Sequence, residues 1–249
     1  MIKSSSKLSF IVMITLLLAF ALSGTSFASI VTWSQPVDLS ATGDELDVSS
    51  PPFQIVADDW YCDDATQNIN SINWWGSYID YNETDSKLYS NIDSFTVIIY
   101  NDGASQPGNE MYQMHDYDVS LLEESYVNKS DGTHDSVFKY SLDLYEPFVQ
   151  RDGDGSTYWI AILATLKSAP TDYYDWGWNT SATHKGISAM TSDDFATWTT
   201  LGALAPVDMA FELIADGEEI PEPATMMLLG SLATGLFGFA GLKRRFSGR

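Results

Sequence analysis

The chain has 249 residues, with 34 acidic and 12 basic side chains and a formal net charge of −22 at pH 7. Two basic residues precede position 29 and four follow position 242, so the part between holds six against 34 acidic ones, a net charge of −28. Such a surface repels nucleic acid, which excludes nucleic acid as a partner. A single cysteine excludes an intramolecular disulfide, so stability must come from burial.

Residues 1–28 have the pattern of a secretory signal peptide. Lys3 and Lys7 form a positive n-region, and residues 8–22 are uncharged and mostly apolar. Ser26-Phe27-Ala28 places small residues where a signal peptidase reads them, so we expect cleavage after Ala28. An uncleaved anchor helix is the alternative.

Residues 29–216 are expected to form one acidic, all-β domain. Short β-rich runs are separated by Gly, Pro, Asn and Asp, and no long stretch has the 3.6-residue period of a helix. About ten strands favour a single β-sandwich with a jelly-roll-like arrangement, and a barrel is the alternative. The strongest runs are residues 54–60, 69–79, 94–100, 137–144, 156–166 and 207–214, and weaker ones lie near Val31, Met111, Val119, Tyr174, Ile187 and Phe195.

Two of these runs predict which faces are covered. Residues 94–100 end with apolar side chains on both faces, as in a central strand that is covered on both sides. The run 137–144 alternates, which predicts one buried face and one polar face. The predicted buried face consists of Phe138, Tyr140, Leu142 and Leu144.

Four tryptophans form two close pairs, Trp74 with Trp75 and Trp176 with Trp178. Neighbours in a strand point to opposite faces, so one of Trp74 and Trp75 must face outward or lie under a loop. Trp176 and Trp178 share a face. Sugar-binding β-sandwiches stack sugars on such flat rings, so these four residues are the candidate glycan-stacking site. Packing of the rings in the core is the alternative.

Two acidic segments are candidate calcium sites. Asp152 and Asp154 place carboxylates at alternate positions, which resembles the start of a calcium-binding loop. Leu163 stands where an EF-hand needs glutamate, and Asp-Gly steps also form tight turns. The second candidate is Asp58-Asp59 with Asp63-Asp64. A structural calcium ion is the one cofactor that these patterns suggest.

No catalytic pattern stands out. The three histidines are isolated, no Gly-x-Ser-x-Gly segment is present, and 34 acidic residues make carboxylate pairs uninformative. Cys62 lies among aspartates whose charges disfavour a thiolate, so we expect a buried thiol. A non-enzymatic protein is therefore predicted, and a secreted hydrolase is the least favoured alternative.

The C-terminal residues have the order of a sorting signal. A linker, residues 217–223, contains Pro221-Glu222-Pro223 and precedes an uncharged apolar run, residues 224–242. As a transmembrane helix this run would span about 28 Å, which matches a bilayer core. Lys243-Arg244-Arg245 should stay in the cytoplasm by the positive-inside rule, so residues 243–249 are a predicted cytoplasmic tail. The acidic domain would then lie on the other side of the membrane.

This order resembles the PEP-CTERM sorting signal. The resemblance rests on Pro221-Glu222-Pro223, the apolar run after it and the basic cluster Lys243-Arg244-Arg245. It implies an exosortase-type membrane enzyme as partner, processing near the tripeptide, and a final place at the surface or in the extracellular matrix of a polysaccharide-producing bacterium. A plain single-span anchor is the alternative.

Residues 33–215 are also similar to a family of uncharacterised exported β domains, which implies a β fold and no transferable activity. We therefore expect a non-enzymatic surface or matrix protein associated with extracellular polysaccharide, and a carbohydrate-binding module is the alternative. The segments that carry the similarity are Trp33-Ser34-Gln35-Pro36, Ala57-Asp58-Asp59-Trp60 with Cys62, Trp74-Trp75-Gly76-Ser77 and Asp175-Trp176-Gly177-Trp178.

Overall fold

The fold was analysed in a computed structural model, in which residues Ser29–Asp216 form a compact unit of their own. The structure describes residues 26–40, 45–47, 54–64, 67–78, 92–128, 134–151, 155–167, 175–191, 197–201 and 207–220.

These residues contain thirteen strands and no helix, which confirms the all-β prediction. The strands are β1 (Ser26–Gln35), β2 (Glu45–Asp47), β3 (Ile55–Tyr61), β4 (Ile69–Tyr78), β5 (Ile92–Asp102), β6 (Pro107–Asp116), β7 (Ser120–Asn128), β8 (His134–Phe148), β9 (Thr157–Leu166), β10 (Trp176–Asn179), β11 (Ser188–Thr191), β12 (Thr199–Leu201) and β13 (Phe211–Ile220).

The strands form two antiparallel sheets, as in a β-sandwich. In the first sheet, of seven strands, β4 pairs with β8 along one edge and with β13 and β10 along the other. β7, β1 and β2 extend this sheet from β8, β13 and β10. The second sheet has six strands in the order β12-β11-β3-β9-β5-β6.

One apolar core draws side chains from both sheets. The first sheet contributes Trp74 and Phe138, and the second contributes Phe95, Ile99 and Ile160. Burial of each such side chain contributes about 1.5–3 kcal/mol, so this core is the main source of stability. The predicted buried face of β8 is confirmed, because Phe138, Tyr140, Leu142 and Leu144 all belong to the core.

The outer faces of both sheets are partly covered as well. On the second sheet, Ile98, Tyr100 and Trp159 form a separate cluster against which Trp198 packs. β5 therefore has buried side chains on both faces, as the sequence predicted for residues 94–100. Cys62 is buried, as expected, with 1% of its surface exposed.

The predicted strand 207–214 begins later than expected. β13 starts at Phe211, and residues before it bridge other parts of the fold. The amide of Met209 donates to Asp58 Oδ2 at 2.6 Å, and the amide of Ala210 donates to the carbonyl of Asn179 at 2.8 Å. Because these two amides donate to the Asp58 side chain and to the backbone of Asn179, they are not available for the regular hydrogen-bond ladder of a strand.

Several predicted segments lie outside the described residues. They are residues 1–25 of the signal peptide, Pro221-Glu222-Pro223, the apolar run 224–242 and the tail 243–249. Within the described ranges, a helix with the length and apolar character needed to span a bilayer is not found.

Candidate ligand-binding cleft

The candidate glycan-stacking tryptophans are buried in the structure. Trp74 stacks on Tyr140 with ring centroids 5.7 Å apart and an interplanar angle of 19°. Trp178 donates its Nε1 hydrogen to the carbonyl of Ala210 at 2.9 Å. The exposed fraction is 8% for Trp75 and 0% for the other three, which are Trp74, Trp176 and Trp178.

Trp75 points to the outer face of the first sheet, opposite to Trp74, as alternation predicts. It packs with Val37, Val137 and Ala210, and Lys139 Nζ lies 4.5 Å from its ring centroid. A sugar needs an open ring face for stacking, and this cover removes it. The structure therefore corrects the candidate stacking site, because none of Trp74, Trp75, Trp176 and Trp178 offers such a face.

Two of the segments that carry the family resemblance, Trp33-Ser34-Gln35-Pro36 and Ala57-Asp58-Asp59-Trp60, are joined by a chain of polar contacts. Trp33 Nε1 donates to Gln35 Oε1 at 3.0 Å, and Gln35 Nε2 donates to Asp58 Oδ2 at 3.2 Å. The amide of Met209 donates to the same carboxylate oxygen. These contacts tie β1, β3 and the segment before β13 together, so these residues serve the fold.

Three aspartates lie at this junction. Asp58 and Asp208 are fully buried, and Asp208 Oδ2 accepts from the amides of Lys185 at 2.5 Å and Gly186 at 3.2 Å. Burial, followed by the charge of Asp208, raises the pKa of Asp58 well above its ordinary value. Burial likewise raises the pKa of Asp59 to about 6. The junction therefore makes the ionised form of both carboxyl groups less favourable than it is for an exposed aspartate.

The calcium predictions have separate outcomes. Asp152 and Asp154 lie outside the described residues, so calcium there stays a prediction. Among the residues that are described, no group of three or more His, Cys, Asp or Glu side chains has an arrangement that could hold a metal ion. Asp58-Asp59 with Asp63-Asp64 therefore does not form such a group.

A cleft of about 200 Å³ lies at one end of the two-sheet unit, where β5 begins and β6 ends. The buried rings of Phe95 and Tyr140 and the exposed ring of Tyr117 line it. Asp93 and Asp116 add carboxylates to the lining. Such a mixture of aromatic surface and a few polar groups is typical of small-ligand sites.

Asp116 is held at the cleft by hydrogen bonds from Tyr145 and from the backbone of Asp118. Its Oδ2 accepts from the hydroxyl of Tyr145 at 2.9 Å, and its Oδ1 accepts from the amide of Asp118 at 2.7 Å. Tyr145 and Tyr117 are 73% and 66% exposed, more than any other large hydrophobic side chain in the described part of the chain. Exposed aromatic surface is therefore concentrated at this carboxylate.

Ser94 is the most unusual group in the cleft. The residue is among those that line the cleft and is 2% exposed, and its buried Oγ has no hydrogen-bond partner among the described residues. Buried hydroxyl groups are nearly always hydrogen-bonded, so an unsatisfied one at a cleft indicates a place for a ligand or water.

Local sequence does not indicate this site, because its residues are distant in the chain. The antiparallel register Phe95↔Asp116 brings Ser94 close to Tyr117. One sequence feature did point to an exposed ring here. Tyr117 stands between Asp116 and Asp118, in a segment without the alternating apolar pattern that would predict a buried side chain.

The fold defines an all-β domain of two antiparallel sheets with an aromatic core. Residues 31–214 match a family described as Domain of unknown function (DUF7901), which covers most of the chain. The protein belongs to this DUF7901 family. No curated protein and no solved structure matches the chain.

Proposed function

We propose that this chain is a non-enzymatic, exported protein of the cell surface or extracellular matrix, associated with extracellular polysaccharide. In this proposal residues 1–28 direct export, residues 224–242 hold the chain in the membrane, and Lys243-Arg244-Arg245 stay in the cytoplasm. An exosortase-type enzyme processes the chain near Pro221-Glu222-Pro223. The domain between has a jelly-roll-like sandwich arrangement.

One observation carries the proposal. The tripeptide, the 19 uncharged residues 224–242 and the basic cluster follow in the order of a sorting signal, directly after a compact unit that ends at Asp216. A self-contained unit ahead of the signal supports a role as exported cargo. The excess of 34 acidic over six basic residues also supports solubility outside the cell.

The test replaces Pro221-Glu222-Pro223 with three alanines in the full chain. We expect the unprocessed, larger form to accumulate in the inner membrane and the surface fraction to lose the protein. The control replaces Gly217-Glu218-Glu219 with three alanines, which alters the last residues of β13 just ahead of the tripeptide but leaves the tripeptide itself. Unchanged size and surface delivery of the tripeptide variant would refute the sorting role.

A carbohydrate-binding module remains the second candidate function. The four tryptophans that suggested it are buried and offer no open ring face. The exposed ring of Tyr117 and the carboxylates of the cleft at the start of β5 favour it instead.

A further inference from the structure

We propose that the cleft at the start of β5 and the end of β6 binds one neutral sugar unit of a polysaccharide. The inference deepens the proposed function and rests on it, because it gives the polysaccharide association a defined site. Its ligand class follows from the size, the aromatic surface, the polar groups and the charge of the cleft.

The size of the cleft fits one sugar ring. The cleft has a volume of about 200 Å³. A single six-membered ring with its hydroxyl groups fills such a space, whereas a chain of several sugars or a peptide helix does not. The remainder of a polysaccharide would continue outside the mouth.

The aromatic surface suits the C–H face of a sugar. Tyr117 stands at the mouth, and its ring meets the ring of His115 edge-on, with centroids 4.9 Å apart. His115 Nδ1 in turn lies 2.7 Å from Thr96 Oγ1. The ring of Tyr117 is therefore supported from β6 and β5 although it is largely exposed. Rigid aromatic surface of this kind binds ligands at a low cost in conformational entropy.

The polar groups suit sugar hydroxyls. Asp116 is oriented by its bonds from Tyr145 and from the amide of Asp118, which leaves lone pairs on both carboxylate oxygens. Asp93 is exposed and makes no hydrogen bond or ion pair with any residue that the structure describes. Both carboxylates can accept hydrogen bonds from ligand hydroxyls.

Ser94 supplies the strongest argument. A hydroxyl that is buried without a partner is unfavourable in the empty protein, and a sugar hydroxyl in the cleft would satisfy it. A second cleft, beside Trp60 and Cys62, differs in this respect. There the buried amide of Gln150 is satisfied on both sides, by Trp60 Nε1 at 3.1 Å and by the carbonyl of Gln67 at 2.9 Å.

Charge selects a neutral sugar. Neither Asp93 nor Asp116 pairs with a cation among the described residues, so an acidic sugar would meet uncompensated negative charge. Two carboxylates without a third ligand also make a poor metal site, in line with the absence of a metal-binding group in the described ranges. The recognition is therefore direct and independent of calcium.

The test uses affinity electrophoresis of the full chain in a polyoxyethylene detergent. This detergent contains no sugar, so it does not compete with the polysaccharide probes. The gels contain dextran, galactomannan or xyloglucan as neutral probes and alginate as an acidic one, each with and without EDTA. The variants are Tyr117→Ala and Ser94→Ala, and the control is Tyr61→Ala, which removes an exposed tyrosine outside the cleft.

We expect at least one neutral polysaccharide to retard the chain, with or without EDTA. Tyr117→Ala should weaken this binding about tenfold, the loss expected for one stacked ring, and Tyr61→Ala should leave it unchanged. Ser94→Ala should weaken binding while its melting temperature stays equal or rises, because an unsatisfied hydroxyl is removed. If Ser94 had only a structural role, its replacement would not weaken binding while leaving the melting temperature equal or higher.

Three results would overturn the inference. They are no retardation by any neutral probe, retardation that EDTA or the Tyr61→Ala control abolishes, and retardation that survives both cleft variants. Retardation by alginate alone counts as the first of these. Sorting is measured separately by the tripeptide variant, so the cleft can fail while the proposed export stands.

Discussion

At the scale of single residues, Asp59 shows how burial acts on charge. Burial is the largest cause of its raised pKa, the charges of Asp208 and Asp102 add to it, and the amide of Ile187 opposes it. The folded pKa of about 6 lies above the unfolded value of 3.8, so the native state binds the proton more tightly. Its contribution to stability is therefore complete at low pH and is lost as pH rises through about 6.

We expect the urea midpoint of unfolding to rise when the pH is lowered from 8 to 5. Fully buried Asp58, whose pKa is also raised, acts in the same direction. Asp59→Asn keeps an oxygen for the amide of Ile187, 3.0 Å away, and removes one titrating group, so its midpoint should change less with pH. Asp63→Asn is the exposed control and should follow the wild type. An Asp59→Asn curve parallel to the wild type would contradict this account.

Residues of the cleft could not be predicted from local sequence. Ser94 precedes a strongly apolar run. Tyr117 follows β6, most of whose side chains are exposed, so another exposed side chain there does not indicate a binding site. Only the register between β5 and β6 makes them neighbours. The burial of Trp75 was equally hidden, because its cover comes from Val37 and Ala210, which are distant in sequence.

At the scale of elements, patterning predicted the strands that local alternation defines. The inner face of β8 and the two covered faces of β5 follow from residue order alone, since side chains alternate in a strand. The start of β13 does not. Residues 207–210 alternate like a strand, yet the amides of Met209 and Ala210 donate to Asp58 and Asn179. These bonds depend on the packing of segments that are distant in sequence.

The packing of β4 against β10 depends on a glycine. A Cβ atom on residue 76 would lie 2.0 Å from Cζ2 of Trp176, which is far inside contact distance. The Trp-Gly-Ser segment that carries the family resemblance therefore has a steric reason for its glycine. The indole of Trp176 fills the space that a side chain at Gly76 would need.

We expect Gly76→Ala to lower the free energy of unfolding by about 1–3 kcal/mol, the usual cost of overpacking a core. Urea denaturation measures it. In a double-mutant cycle, Gly76→Ala should cost less in a Trp176→Leu background, because the smaller side chain relieves the contact. Equal costs in both backgrounds would show that this contact is not the cause.

At the scale of the whole molecule, the composition and the fold agree on how stability arises. The chain has one cysteine, which is buried, and few cations to pair with its many carboxylates. An aromatic core between two sheets therefore carries the stability of the unit Ser29–Asp216. Such a domain does not depend on a disulfide to fold outside the cell, which supports the proposed export.

The central claim is that this acidic β domain leaves the cell and parts from its C-terminal segment. Mass spectrometry of the protein recovered from the surface fraction tests it most directly, with intact mass and both terminal peptides read. The account predicts a mature chain that begins at Ser29 and lacks residues 224–249. A surface form that retains residues 224–249, or a chain that stays in the cytoplasm with Met1 intact, would contradict it.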